Sequence, residues 1–179
     1  WQNNYFIQNH YEGNLLIDSI FYHYSEEDLI PYCRNTFDYD EQNHLILKSS
    51  FIWDSETSQW KLTSTVDYIY DDLNRMVEQI KSDVDYYSGS SEYDSKTYYS
   101  YAGTFLLPDT IVYYDWSPQN EEWIANSKNE IGYDTDSRTI LNIYYTFDEQ
   151  NVDWVAMNKE EFDYDEAGLT KAKQFIKKN

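Results

Sequence analysis

Apolar and polar residues alternate along much of the chain with a period of two, the spacing of side chains on the two faces of a β-strand. One predicted strand face carries Leu45, Leu47, Phe51 and Trp53. The next carries Trp60, Leu62, Val66, Tyr68 and Tyr70, with mostly polar residues between them. The pattern therefore predicts consecutive strands, the second of them half-buried.

A tyrosine followed by aspartate and polar turn residues recurs at a nearly fixed spacing. The copies are Tyr39-Asp40, Tyr70-Asp71, Tyr133-Asp134 and Tyr164-Asp165. Their tyrosines are 31, 63 and 31 residues apart, and 63 is about two periods. A degenerate copy is expected at Tyr101-Ala102-Gly103, and an earlier one at Tyr11-Glu12-Gly13-Asn14. Self-similarity at such a period is typical of a repeat architecture.

The chemistry of these copies predicts tight hairpin turns. Aspartate suits the first position of a type I turn, because its carboxylate accepts the backbone N–H two residues later. Asn43, Asn74 and Gly168 then fall where the hairpin needs a left-handed residue, and Ser137 fits that position less well.

Pairs of aromatic residues seven positions apart alternate with the turns and enclose mostly polar residues. They are Trp53/Trp60, Tyr86/Tyr93, Trp116/Trp123 and Phe147/Trp154, with Tyr24/Tyr32 as a looser first copy. We expect each pair to bracket a longer hairpin loop, with the two rings facing each other across the strand ends.

Six tight turns and five longer loops predict an all-β antiparallel meander of about twelve strands, in one repeat-built domain over residues 1–179. The segment from Leu169 to Ile176 is expected to be the last strand, with a short helix as the alternative. A round barrel of twelve strands has a radius of about 12 Å, which side chains do not fill. We therefore expect a curled single sheet or a flattened barrel.

The net charge of the chain makes some classes of binding partner unfavourable. The chain has 13 basic and 33 acidic residues and a formal net charge of −20, which disfavours nucleic acid and anionic membrane surfaces. No apolar run is long enough to span a membrane. The single cysteine, Cys33, excludes an internal disulfide and is expected to fill space in a strand.

The recurring Tyr-Asp turn after an aromatic strand resembles the YD-repeat proteins. Together with the Trp53-Asp54/Trp60 loop, it is more similar still to uncharacterised tandem β-hairpin proteins, secreted or surface-anchored, of gut Bacteroidetes. The period here is longer than the YD period, and most turn glycines are replaced. The resemblance implies an exported protein that is extracellular, periplasmic or anchored at the outer membrane, with a signal peptide removed from before Trp1.

The tryptophans at the strand ends are the candidate ligand-binding residues, because exposed aromatic rings stack on sugars and mark binding surfaces. They are Trp53, Trp60, Trp116, Trp123 and Trp154. The alternative is that each pair only closes its own hairpin.

The sequence gives only weak indications of metal binding or catalysis. The acidic pairs Asp38/Asp40, Asp134/Asp136 and Asp163/Asp165 could supply oxygen ligands for calcium, but turn capping is the favoured explanation, and no cofactor is expected. His10, His23 and His44 lack the spacing of a zinc site, and no catalytic motif, metal site or cofactor-binding loop is expected.

The leading hypothesis for this protein of unknown function is a non-enzymatic exported interaction domain that binds a glycan or a protein partner. One alternative is a structural or assembly module of the cell surface, whose first and last strands pair edge to edge. The other is a glycosidase-like enzyme, which needs two carboxylates in a shared cleft.

Overall fold

The computed structural model describes residues 5–25, 28–168 and 170–177, and within these ranges it contains strands and no helix. The strands are β1 (Tyr5–Glu12), β2 (Leu15–Ser25), β3 (Asp28–Tyr39), β4 (Leu45–Asp54), β5 (Gln59–Tyr70), β6 (Met76–Val84), β7 (Ser91–Ser100), β8 (Thr110–Ser117), β9 (Glu122–Tyr133), β10 (Thr139–Asp148), β11 (Asp153–Tyr164) and β12 (Thr170–Lys177). The predicted all-β meander is confirmed, and so is a terminal strand in place of a helix.

Sequence order is also strand order, from β1 at one end of a single sheet to β12 at the other. Within the described ranges, β1 pairs with β2 and β12 pairs with β11. The sheet is therefore open and does not close into a barrel.

The chain divides into two compact units. The first is Trp1–Ile69 with Gln79–Asp94, and the second is Tyr70–Glu78 with Ser95–Asn179. The prediction of one domain over residues 1–179 stays a prediction.

Burial differs from that of an ordinary globular domain. None of the described apolar side chains is fully buried, and the described residues that are buried are small or polar. They are Ser19, Ser49, Asp54, Ser82 and Ser127. Most strand side chains are half-buried. Cross-strand neighbours on the same face of the sheet supply apolar contact to them.

The tight turns have the predicted geometry. The Asp71 carboxylate accepts the backbone N–H groups of Leu73 and Arg75 at 2.9 and 3.0 Å. Asn74 has a φ of 61°, and the equivalent positions Asn43, Ser137 and Gly168 have φ values of 68°, 62° and 78°. Ser137 thus adopts the left-handed conformation despite the steric cost of its Cβ.

Four tyrosines that stand at or just after a strand end also reach back along the chain to the preceding repeat. The hydroxyl of Tyr164 donates a hydrogen bond of 2.7 Å to the carbonyl of Thr139. The other bonds are Tyr39 to Leu16 at 3.0 Å, Tyr101 to Met76 at 2.6 Å and Tyr133 to Pro108 at 3.0 Å. We call these four bonds the tyrosine ties. Each one links a residue at or just after the end of one strand to a residue at or near the start of the strand beside it.

Arginine completes two of the ties. The Arg75 guanidinium lies 4.5 Å from the ring centre of Tyr101, and that of Arg138 lies 4.8 Å from Tyr164. Each arginine also pairs with the aspartate of its own turn. One guanidinium therefore connects a turn to the tyrosine of the next repeat.

β-Bulges correct the predicted strand faces. Ser50 pairs with Ser64 and Phe51 with Leu62, so Thr63 is the extra residue of a bulge in β5. Because cross-strand partners project from the same face, Trp60 and Leu62 lie on the face opposite Val66 and Tyr68.

A second bulge, at Ile46, separates Leu45 from Leu47 in the same way. The prediction that Leu45, Leu47, Phe51 and Trp53 share a face is therefore wrong at Leu45.

Two predicted aromatic pairs are wrong. The middle loop begins at Asp85, whose N–H donates to the Ser90 carbonyl at 2.9 Å, so Tyr86 lies inside the loop rather than across from Tyr93. The first loop is shorter than expected, and Tyr24 pairs with Leu29 rather than with Tyr32.

We expect Tyr133→Phe to lower the free energy of unfolding by about 0.5–1.5 kcal/mol, because it removes only the hydroxyl that donates to Pro108. Urea denaturation measures the change. Tyr113→Phe is the control, because the half-exposed Tyr113 makes no such tie. Equal effects of the two substitutions would contradict a stabilising role for the ties.

The turn carboxylates predict a loss of stability in acid. Hydrogen bonds from Arg138, first from its backbone N–H and then from its side chain, hold the pKa of Asp134 below its usual value. A carboxylate with a lowered folded-state pKa stabilises the fold above its unfolded-state pKa of about 3.9, and that contribution is lost as the pH falls through the folded-state value.

Asp134→Asn keeps an oxygen acceptor but loses the charge. We expect it to lower the urea midpoint at pH 6 and to approach the wild-type midpoint at about pH 2. Asp38→Asn, which alters an exposed strand carboxylate, is the control. A wild-type advantage over Asp134→Asn that persists unchanged at low pH would refute this electrostatic role.

Candidate functional site

The predicted tryptophan pairs form at three loops. In the first unit, Trp53 and Trp60 are cross-strand partners with ring centres 5.1 Å apart and ring planes at 67°. In the second unit, Trp116 and Trp123 pair at 5.1 Å and 65°, as do Phe147 and Trp154. This edge-to-face packing is a favourable aromatic arrangement and closes the end of each hairpin. The role of these tryptophans in ligand binding stays a prediction.

Lysine side chains lie against several of these rings. The Lys96 ammonium is 4.8 Å from the ring centre of Tyr114 and 5.3 Å from that of Trp123. Lys128 stands in the same relation to Tyr145 and Trp154, at 4.4 and 5.2 Å. All five candidate tryptophans are half-buried. The indole faces that a sugar needs for stacking are thus partly occupied by the chain itself.

The acidic turns are occupied by their own structural bonds. Arg138 donates to Asp134 at 2.7 Å and pairs with Asp136 at 3.1 Å. In the first unit, His44 Nδ1 lies 2.9 Å from an Asp40 oxygen. Among the residues whose positions are described, no group of three or more His, Cys, Asp or Glu side chains is arranged to hold a metal ion. Turn capping and ion pairing account for these carboxylates.

Asp54 caps the longer loop between β4 and β5, as the turn carboxylates cap the tight turns. Its side chain is buried, accepts the Glu56 and Thr57 amides and pairs with Lys61 at 2.7 Å. The hydrogen bond from Lys61, followed by those of the loop, lowers the Asp54 pKa below its usual range. Lys61 also lies 4.2 Å from the ring centre of Tyr86.

One connection departs from the repeat. Residues 101–109, which we call the insertion loop, replace the tight turn expected at Tyr101 and join β7 to β8. Pro108 lies in this loop, before β8 begins at Thr110. Tyr101 keeps its tie to Met76, so the departure begins only after the tyrosine.

Hydrogen bonds hold the backbone of the insertion loop in place. Arg75 Nη1 donates to the carbonyls of Gly103 and Phe105 at 2.7 and 3.1 Å. The Asp109 N–H donates to Ser100, and the Ile131 N–H donates to Asp109, at 2.9 and 2.8 Å. The loop therefore has a defined path between β7 and β9.

The side chains of the insertion loop are apolar and exposed. Phe105 is 72% exposed and Leu106 77% exposed, and Leu107 is exposed as well. They line an open cavity of about 690 Å³ together with Ile131 and Tyr133. Asp109 and Asp134 add carboxylates to the same lining. Within the second unit, the cavity is therefore lined both by apolar side chains of the insertion loop and by acidic side chains.

The insertion loop was not among the predicted binding residues, although the sequence carries a signal for it. The repeat requires polar turn residues after Tyr101, but the chain has the apolar run Phe105-Leu106-Leu107 followed by Pro108. Apolar residues in place of the polar turn residues indicate an insertion, and surface loops of this kind are where binding residues are concentrated. The structure adds the exposure of these side chains and the cavity beside them.

A search of the described residues for a helix long and apolar enough to cross a membrane found none.

The comparisons with known proteins found similarity only to proteins of unknown function. The model of the family DUF3836, a family of unknown function, matches residues 1–81. The search of curated proteins found no match. Among solved structures, 22 chains match.

Three similar structures come from Bacteroidetes. A DUF3836 family protein from Parabacteroides distasonis is 19% identical with a TM-score of 0.43, over 51% of this chain and 87% of that one. A protein of unknown function from Bacteroides fragilis is 13% identical with a TM-score of 0.41, over 89% and 93% of the two chains. A DUF3836 family protein from Bacteroides vulgatus is 15% identical with a TM-score of 0.37, over 69% and 91%. The chain is thus similar to proteins of unknown function from Bacteroidetes. The predicted likeness to YD-repeat proteins is not confirmed, and the likeness to secreted or surface-anchored proteins stays a prediction.

Proposed function

We propose that this chain is a non-enzymatic, exported interaction domain whose insertion loop binds a protein partner. The partner contributes an apolar segment that also carries basic residues. The observation that carries the proposal is the exposure of Phe105, Leu106 and Leu107 on a hydrogen-bonded loop beside a cavity. The exported location rests on the resemblance of the repeats to secreted and surface proteins.

The fixed backbone of the loop favours binding. Arg75 and the flanking strands order this segment before any partner arrives, so association does not bear the full entropic cost of ordering it. Exposed apolar side chains on an ordered loop are unfavourable in water, and their burial by a partner relieves that cost.

Charge indicates the chemistry of the partner. The chain has a net charge of −20, and Asp109 and Asp134 line the cavity. Asp136, two residues beyond Asp134, has an exposed side chain. Lysine or arginine residues next to an apolar anchor would complement this surface and accelerate association.

The carboxylates support a binding role over catalysis. Carboxylates whose pKa is lowered have structural partners, such as Lys61 for Asp54 and Arg75 for Asp71. Hydrogen bonds from those partners lower the pKa of each carboxylate, which keeps it ionised and bonded.

A glycan partner is less well supported than a protein partner. Each tryptophan pair packs edge to face, and lysines lie against Trp123 and Trp154. These lysines occupy part of the ring faces on which a sugar would stack.

Selection from a random peptide library displayed on phage tests the proposal, with the whole chain as bait. We expect enriched peptides to combine aromatic or aliphatic residues with lysine or arginine. Leu106→Asp should weaken binding of a selected peptide by about tenfold to a hundredfold, because burial of a leucine contributes about 1.5–3 kcal/mol.

Val152→Asp is the matched control. Val152 is 76% exposed in another loop of the second unit, so the substitution adds the same charge at an equally exposed apolar position. Binding that survives Leu106→Asp unchanged would overturn the proposal. So would binding to a glycan array that is lost on Trp116→Ala and kept on Leu106→Asp.

A further inference from the structure

The tyrosine ties follow one structural rule, which the pairing of the strands makes visible. Tyr133 faces Thr139 across the ladder between β9 and β10, and the next residue, Ile140, forms a bulge. Thr139 is also the residue whose carbonyl accepts the hydroxyl of Tyr164, the tyrosine of the following repeat. The residue opposite one tyrosine therefore accepts the hydrogen bond of the next tyrosine.

The same rule holds at the beginning of the chain. Tyr11 faces Leu16, and Ile17 forms the bulge that follows. The carbonyl of Leu16 accepts the hydroxyl of Tyr39. Tyr11 therefore occupies the position of a tying tyrosine, although its turn contains Gly13 with a φ of 60° in place of the longer Tyr-Asp turn.

Tyr11 lacks the acceptor that the rule requires. Its side chain is 52% exposed, and β1 pairs with β2 alone, so no described strand lies on its other side. The eight residues of β1 are all exposed, and Tyr5, Phe6 and Ile7 are large and apolar or aromatic. The strand also contains no lysine, proline or bulge of its own, the features that protect edge strands from pairing.

A carbonyl acceptor of the kind that Tyr11 needs lies at the other end of the sheet. Thr170 faces Tyr164 across the ladder between β11 and β12, so its carbonyl is the next acceptor by the same rule. No described tyrosine donates to it. As the last strand of the meander, β12 pairs with β11 alone among the described strands.

Direction and charge favour pairing of these two ends between molecules. Strands alternate in direction along the meander, so a β1 strand placed beside β12 continues the antiparallel order. Residues 170–179 contain four lysines and no acidic residue, whereas the whole chain has a net charge of −20. A second copy therefore offers a basic segment to an acidic molecule.

We propose that copies of this chain associate head to tail, with β1 of one copy antiparallel to β12 of the next and the Tyr11 hydroxyl bonded to the Thr170 carbonyl of that neighbour. The contact joins two different surfaces, so each added copy exposes a fresh β1 or β12 and assembly is open-ended. This association is independent of the insertion loop.

Sedimentation velocity of the whole chain over a range of about 1 to 500 μM tests the proposal. We expect dimers, trimers and longer species that grow with concentration. Tyr11→Phe should weaken each association step by about three- to tenfold, the effect of one hydrogen bond. Tyr5→Phe, on the same strand but outside the rule, should leave association unchanged.

A stronger variant tests the edge itself. Ile7→Lys places a lysine on the outer strand and should abolish growth, because the lysine faces the basic β12 segment of a neighbour. Ile69→Lys, at an exposed position in β5, is the matched control and should assemble like the wild type. A melting temperature near that of the wild type verifies that each variant is folded.

Three results would overturn the proposal. The first is a monomer throughout the concentration range, and the second is a dimer that grows no further, which indicates two β1 strands paired with each other. The third is growth that survives both Tyr11→Phe and Ile7→Lys.

Discussion

The hydrogen bond from a turn tyrosine to a carbonyl of the preceding repeat is the interaction on which this structure depends. Each bond spans adjacent strands at the end opposite the longer loop, where no covalent connection holds them together. Tyrosine suits this position because its ring supplies apolar contact while its hydroxyl reaches a backbone acceptor. The aspartate that follows fixes the turn, so tyrosine and aspartate together determine where each repeat ends and how it joins the last.

A sheet held in this way does not require a sealed apolar core. None of the described apolar side chains is fully buried, and cross-strand pairs, lysine–aromatic contacts and capped turns stabilise the sheet. Such a frame tolerates a change in one connection. The insertion loop is such a change. Tyr101 keeps its tie to Met76, and the residues after it form an exposed loop in place of a tight turn.

The sequence predicts this frame because its signals are local. Tyrosine–aspartate turns and tryptophan pairs are read directly from residue type and spacing, and Asn74 and Trp53/Trp60 have the expected geometry. Bulges such as that at Thr63 are not visible in the sequence, because they depend on ladder register, and they reverse the face of every residue beyond them. In the middle loop, Tyr86 has the sequence spacing of an aromatic pair but lies inside the loop, beyond the end of β6.

The exchange of tyrosine hydroxyl protons tests most directly whether the tyrosine ties hold the repeats together. It is measured by nuclear magnetic resonance on protein with labelled tyrosine. Slow exchange at Tyr39, Tyr101, Tyr133 and Tyr164, against rapid exchange at Tyr113, is the expected result, since only the first four donate to backbone carbonyls. Equally rapid exchange at all five would contradict the claim that these bonds hold the repeats together.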